Sequence, residues 1–542
     1  MERRDESTMT KLKVIDLFSG AGGLSLGFLQ TGKFQLVAAA EINKNARRTY
    51  VKNIAPNDST FEFIENVVGC DFRALSGHLG GIDIVIGGPP CQGFSNANRQ
   101  KNNLISMNNS LVKEFFRAIK EIKPKAFVME NVNMLRSDTH RFYESIKDNE
   151  EIDSLIAQGF NIPKRKDNLF ISKKCYIGIN FNDPNEIDID AMLLPAPLFQ
   201  LISVLRKDFD NSKRLTKYLE KNKEPLIKSI QTYVASMQDN TDLAIREISI
   251  KLTEIKKALE IDCVTSAKDS IEYVVSLQKA LLAMNEIRAN GLIGNYVYDE
   301  EKGLTFVVNS YSVIDYVNAI LGNEYVQEGG TMCSEWFGVP QVRRRYIVIG
   351  VRKDCVKGPK VILPTPPETY EVNTVWDAIG DLMNYEVGYD AEYAPIPYTN
   401  QIISAYASQM QVGSDTVKNH ITTKTKEEAL KRFKVIPQGK NFHSLSDDLK
   451  TTYSKPERTQ NTIYLRLDEN APCGTVVNVR KSMWIHPRLH RAITVREAAR
   501  LQSFPDSFEF VGTKDSQYQQ VGNAVPPLLA KAIAEKVLEN IK

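Results

Sequence analysis

Four short apolar runs, each stopping at a turn that carries glycine, cysteine or a carboxylate, constrain this chain more than any other feature. Residues 13–18 run into Ser19-Gly20-Ala21-Gly22-Gly23, and a helical pattern follows through Leu24, Leu26, Phe28 and Leu29. Residues 36–40 end at Glu41, and residues 82–86 stop at Gly87-Gly88-Pro89-Pro90. A helix with apolar Leu111, Phe115, Ala118 and Ile122 precedes residues 126–129, which stop at Glu130. Strands alternating with helices imply an α/β fold, a parallel sheet covered on both faces. Ligands of such sheets bind beyond the carboxyl ends of the strands. Gly22, Glu41, Cys91 and Glu130 all fall there, which points to one site.

The rhythm stops between about 137 and 310. There Leu198, Leu201, Ile202, Leu205 and Phe209 have helical spacing. Ile245, Ile248, Leu252, Ile255 and Leu259 step by three and four, as do Val274, Leu277, Leu281 and Met284. Those two seams predict a helical hairpin. Strand character returns at residues 346–350. The stretch from 364 to about 490 is rich in Pro, Asn, Thr and Tyr and reads as an irregular α+β lobe. Residues 494–542 read as mostly helical, with Leu528, Leu529, Ile533 and Val537 on one face.

Composition narrows the function classes. The 542 residues carry 69 Lys+Arg against 66 Asp+Glu, a net charge of +3, so any polyanion site must be a local patch. The seven cysteines are widely spaced with no CxxC pair, against a disulfide framework or zinc ribbon and for a reducing compartment. No His pattern suggests a metal site. No apolar run approaches the length of about 20 residues that spans a bilayer, and the polar N-terminus lacks a signal-peptide core. A cytoplasmic, nucleoid-associated protein is expected.

The chemistry lies in the turns. The Gly-rich turn after residue 18 lets backbone approach a ligand and exposes helix N–H groups, though its spacing is not GxGxxG and it is equally a plain tight turn. Glu41 is placed to take the two hydroxyls of a ribose, or is a solvated carboxylate. Gly87-Gly88-Pro89-Pro90-Cys91-Gln92-Gly93-Phe94-Ser95 fixes a rigid turn that holds Cys91 at the sheet edge, as a nucleophile requires. Glu130 points into the same crevice, where it could hydrogen-bond an electron-poor heterocycle; helix capping is the alternative. Arg343 and Arg345 share a face at strand spacing and suit phosphate or a base oxygen, or are a solvated charge run. Gln520-Val521-Gly522-Asn523-Ala524-Val525-Pro526-Pro527 reads as a turn followed by a Pro-started helix.

In this order, DLFSGAGG, GGPPCQGFS, ENV, QVRRR, REAARLQSFPD and QVGNAVPP resemble the DNA (cytosine-5)-methyltransferase family, of the bacterial restriction-modification type. The resemblance covers about 12–137, 325–350 and 460–542. It implies a Rossmann-like catalytic domain dependent on S-adenosylmethionine, built from 1–137, 311–360 and a closing segment 491–542. It implies a target-recognition domain at 361–490, and leaves 138–310 as a mostly helical insertion. S-Adenosylmethionine would be bound by Phe18, Gly20, Gly22, Gly23, Leu24, Glu41, Ile42, Asp71, Phe72, Gly88, Pro90, Leu111, Asn523 and Val525, with Asp71 and Phe72 at the adenine. Cys91 would attack cytosine carbon 6, Glu130 would hold ring nitrogen 3 and the amine, and Arg345 the ring carbonyl oxygen. Arg343 would support Glu130 or the cofactor side.

The implied partner is double-stranded DNA, flipped at the target base and bound by a monomer that acts alone or beside a separately encoded restriction endonuclease. Arg432, Lys440, Asn441, Arg458, Gln460, Asn461, Arg466 and Arg480 have side chains suited to base edges. The competing functions are a tRNA cytosine-5 methyltransferase and a nonenzymatic DNA-binding regulator; intact Cys91, Glu130 and Arg345 weigh against the second. In the insertion, Lys213, Arg214, Lys217, Lys221 and Lys223 suggest a DNA-contacting face, while Glu220 and Glu224 weaken it.

Overall fold

The computed structural model describes residues 11–56, 58–90, 108–131, 141–173, 176, 179, 187–209, 211–399, 404–453 and 455–542. They divide into two compact units, one from 11–90, 110–131 and 320–542, the other from 141–319.

The first unit opens with β1 (Leu12–Leu17), α1 (Gly23–Gln30), β2 (Phe34–Ala40), α2 (Lys44–Ile54) and β3 (Glu62–Ile64). It continues through α3 (Phe72–His78), β4 (Ile84–Gly87), α4 (Asn108–Ile122) and β5 (Ala126–Asn131). Each run expected as a strand is one, and the expected helix around Phe115 is α4.

The second unit comprises β6 (Arg141–Tyr143), α5 (Ile146–Ala157), β7 (Lys164–Ser172) and the short α6 (Ile189–Met192). Then come α7 (Ala196–Asp208), α8 (Ser212–Ser236), α9 (Leu243–Glu260), α10 (Lys268–Ala289), β8 (Gly294–Asp299) and β9 (Gly303–Ser312). The three apolar seams read from sequence are α7, α9 and α10. The hairpin expectation needs correction, because α8 completes a cycle of packing: α7 on α8, α8 on α9, α9 on α10 and α10 on α7. The segment is also not simply helical. β9 pairs with β7 along one side and with β8 and β6 in succession on the other, all antiparallel. Leu304, Phe306 and Val308 point from β9 into the core shared with the bundle.

α11 (Val313–Leu321) precedes the return to the first unit through β10 (Tyr325–Cys333) and β11 (Arg344–Arg352). The sheet order is β10-β11-β5-β4-β1-β2-β3. β3, β2, β1, β4 and β5 run parallel, and β11 is antiparallel to β5. That reversal brings the start of β11 to the same sheet edge as the ends of the parallel strands. The order changes direction between β1 and β4, the switch point where a crevice opens.

The rest of the unit contains α12 (Val375–Ile379), β12 (Ile396–Pro397), α13 (Ala405–Gln411), β13 (Thr416–Val417), α14 (Glu427–Val435) and α15 (Val479–Ser482). It ends with α16 (Val495–Leu501), α17 (Lys514–Asn523) and α18 (Pro527–Asn540). Residues 361–490 do not form a compact unit apart. Val375, Ile379, Tyr406, Ile421, Leu467 and Trp484 bury their side chains in the same core as β1, β4 and β11. A smaller cluster, Phe433, Ile436, Phe442, Leu445, Tyr464 and Ile485, stands beside it. Gly522 and Asn523, expected in a turn, are the last residues of α17. α18 packs along α1, so both ends of the described chain close one unit. Among the described residues, no helix is long and apolar enough to cross a membrane.

Candidate active site

Glu130 is the next-to-last residue of β5 at the crevice, one residue beyond Met129, which pairs with Gly87 of β4. The β4 turn therefore lies beside it. A Cβ on Gly88 would stand 2.9 Å from Glu130 Oε2, so glycine is what allows the carboxylate to lie across the turn. Asn131 Nδ2 donates to the Pro89 carbonyl at 3.3 Å, tying the end of β5 to the same turn. From the other side Arg345 Nε meets Glu130 Oε1 at 2.7 Å, and both side chains are mostly buried. Arg345 Nη1 donates to the Arg344 carbonyl at 2.8 Å. A carboxylate held by glycine turn and guanidinium loses little conformational freedom on meeting a ligand. Pro90, half-buried, is the last described residue of that turn, and Cys91, the expected nucleophile, lies outside the described residues.

The second half of the crevice is the turn after β1. Phe18 and Gly20 have φ of 61° and 55°, and Gly22 caps α1 at 97°, the left-handed region that favours glycine. A Cβ on Gly23 would meet the Val525 carbonyl at 2.3 Å, so Val525 lies directly against the start of α1. Leu24 is buried behind it. Glu41, at the end of β2, is clamped by two backbone donors: Gly20 N to Oε2 at 3.0 Å and Asn43 N to Oε1 at 2.7 Å. Asn43 in turn caps α2. Ile42, the next residue, is 78% exposed, an apolar side chain held at the crevice rim without protein cover.

The other expected cofactor residues have these surroundings. The Phe72 ring is buried with the Arg117 guanidinium 4.8 Å from its centroid, and the Phe72 backbone N–H donates to Glu121. One face of that ring is therefore covered by Arg117. Asp71 caps α3 by accepting from Ala74 N at 2.9 Å, though its side chain remains exposed. Leu111 is half-buried on α4. Asn523 is exposed at the end of α17, its Oδ1 accepting from Gln519 at 2.7 Å.

Arg343 also differs from expectation. It precedes β11, so strand alternation does not put it beside Arg345. Its guanidinium is buried and donates to the Val476 and Gly522 carbonyls at 3.0 and 3.1 Å. Burial, and then the nearby Arg345 charge, push its pKa well down. It joins three distant segments behind the crevice, and the partner of Glu130 is Arg345. Two neighbours escape the sequence reading. Gln341 donates to the Leu501 carbonyl and to Gln502, and accepts from Val476 N, which fixes the same junction. Asp16, at the end of β1, accepts from Ser25 Oγ at 2.5 Å, and Tyr50 OH lies 2.7 Å from Ser25. Burial pushes the Asp16 carboxyl up to about 7. Its place in the sequence, two residues before Phe18, is the available signal. Of the base-reading candidates, Arg432 and Arg466 are buried and spend their donors on the protein's own carbonyls and on Thr452, while Lys440, Arg458, Gln460 and Asn461 are exposed.

A family model for C-5 cytosine-specific DNA methylases matches residues 12–163 and 316–539. The chain belongs to that family. It is a DNA (cytosine-5-)-methyltransferase, transferring a methyl group to cytosine in DNA. Over 98% of its length this methylase is 25% identical to the Type II methyltransferase M.XorII of Xanthomonas oryzae pv. oryzae, covering 86% of that enzyme. It is 24% identical to DNA (cytosine-5-)-methyltransferase M.ApeKI of Aeropyrum pernix, with 98% and 99% of the two chains aligned. Type II methyltransferase M.DdeI of Desulfomicrobium norvegicum is 33% identical over 42% of this chain and 59% of its own length. A crystal structure described as a prophage-encoded DNA modification methyltransferase (E. coli) shares the fold, with a TM-score of 0.54, 18% identity and 98% and 99% coverage. The family match leaves out 164–315, which falls within the methylase's second unit.

Proposed function

We propose that this methylase uses S-adenosylmethionine to methylate carbon 5 of a cytosine flipped out of a specific duplex DNA sequence, through a covalent adduct of Cys91. The observation that carries the reading is Glu130, pinned by Arg345 across the glycine turn that leads into Cys91. The Cys91 thiolate would add to carbon 6 of the ring and so make carbon 5 electron-rich. Glu130 would hold ring nitrogen 3 and the exocyclic amine, offsetting the charge that develops there. Arg345 would offer a guanidinium N–H to the ring carbonyl oxygen while its Nε steadies Glu130. Loss of the carbon 5 proton and departure of the Cys91 thiolate would restore the aromatic ring. The target carbon is inaccessible inside a duplex, so flipping costs a few kcal/mol that phosphate and groove contacts must offset.

The crevice fits S-adenosylmethionine, which supplies an electrophilic methyl group when bound. Glu41 keeps lone pairs for two ribose hydroxyls beyond those used on Gly20 and Asn43. Ile42 offers an apolar surface for the adenine face, and the Gly20–Gly23 turn leaves room at the start of α1. Glu41→Ala is expected to raise the Kd for S-adenosylmethionine by about 10- to 100-fold, read by calorimetry. The Type II names of the relatives support a role in modification, with a separately encoded endonuclease of the same specificity.

The test is covalent trapping on duplex DNA containing 5-fluorocytosine with labelled S-adenosylmethionine, with total tRNA as competitor. A denaturation-resistant complex that needs the cofactor and disappears in Cys91→Ala is expected. No methyl incorporation by the wild type, full activity of Cys91→Ala, or preference for tRNA would overturn the reading.

A further inference from the structure

The second unit presents one helix face that its own packing does not account for. α8 buries Tyr218, Leu226, Ile227, Ile230 and Tyr233. At about 100° per residue, Lys213, Arg214, Lys217, Lys221 and Lys228 fall within a sector of about 100° on the opposite side, and all five are exposed. Glu224 lies inside that sector and Glu220 at its border. Among the described residues, none of the five cations has an acidic partner. Several other cations of the unit are neutralised in pairs, such as Lys164 with Glu144, Arg206 with Glu272, Lys223 with Asp262 and Arg288 with Asp190. A chain with a net charge of only +3 thus lines up five unpaired positive charges along one face of α8.

The stripe suits a backbone of phosphates. Lys213, Lys217 and Lys221 follow one another at about 6 Å, and the run to Lys228 covers about 22 Å. That length passes roughly six phosphates of one strand. The stripe has none of the aromatic side chains that stack on bases. The apolar face of α8 is used in the bundle, which leaves nothing to insert into a lipid surface. We propose that α8 is a second hold on the DNA, binding backbone phosphates without reading bases. The proposal rests on duplex DNA being the substrate, and its test separates the two.

The full-length variant K213Q/K217Q/K221Q/K228Q is compared with wild type by fluorescence anisotropy on a DNA duplex between about 50 and 200 mM salt. The expected log–log salt slope flattens by about 0.9 for each phosphate that is no longer neutralised, a total of about 2–4. Apparent affinity at the low-salt end falls about tenfold or more, while methylation at saturating DNA is retained. The matching Lys→Arg variant keeps the wild-type slope, and circular dichroism checks the bundle. Unchanged slope and affinity in a folded variant would overturn the proposal, whatever else binds the stripe. So would a loss of affinity that Arg does not restore. A wild type that methylates tRNA and not DNA would sink the substrate reading instead, and shows itself without any variant.

Discussion

Glu130→Gln is expected to lower kcat/KM for DNA methylation by about 10²- to 10⁴-fold, the range for removing a positioned acid–base group, while the Kd for S-adenosylmethionine stays unchanged. The amide keeps the shape above Gly88 but cannot carry the charge that the Arg345 guanidinium meets at 2.7 Å. Arg345→Ala should lose a comparable amount, because it frees the Glu130 carboxylate as well as removing its own donors. The double variant should then be only slightly worse than either single one, since residues that act as a unit are strongly non-additive. Single-turnover methylation with pre-bound DNA is the measurement. Additive losses would mean that the pair does not act together.

The second large effect concerns stability. Arg500 Nη1 meets Asp381 at 2.6 Å and its Nη2 meets Asp506 at 2.6 Å, with all three side chains buried. Tyr398 OH also donates to Asp506, and Arg496 lies 3.6 Å away. Arg500 donates as well to the Ala378 carbonyl at 3.1 Å. Against the cost of burial, the Arg500 and Arg496 charges hold the Asp506 carboxyl below its usual range. Asp506→Ala leaves two buried guanidinium groups without that partner, which costs on the order of 3–5 kcal/mol. Urea unfolding followed on the first unit should report it, while the exposed control Asp468→Ala should shift the transition by less than about 0.5 kcal/mol. The depressed pKa gives the sign with pH: the contribution of Asp506 is present at neutral pH and lost as pH falls through its folded-state value.

The strand ends are legible because a buried strand writes itself as an apolar run and the chemistry follows at its end. Glu41 and Glu130 can be found that way. The Glu130–Arg345 pair cannot. It exists because β11 returns antiparallel beside β5 after some two hundred intervening residues, and no local pattern records which strand becomes a neighbour. Arg343 shows the limit of alternation, which holds only within the strand, and β11 begins at Arg344. α8 escapes a reading by pattern because Pro225 sits inside it and its buried residues include tyrosines among many charges. β7 escapes it because its first half reads Lys164-Arg165-Lys166-Asp167-Asn168, polar residues that strands seldom favour. Arg466 looks like a base reader, since composition does not reveal that a guanidinium is consumed by carbonyls of its own lobe.

The closure of the first unit by β11 and α18 also sets a clock on synthesis. β1 to β5 leave the ribosome early, yet Glu130 has no Arg345 and α1 has no α18 until much later. Between the end of β5 at Asn131 and the end of α18 at Asn540 lie roughly 400 residues, about 20–80 s at ~5–20 residues per second. A nascent chain therefore carries its Gly-rich turn and Glu130 long before it can assemble the crevice around them. Chains that stop before β11 lack Arg345, and chains that stop before α18 leave the outer face of α1 without its packing partner.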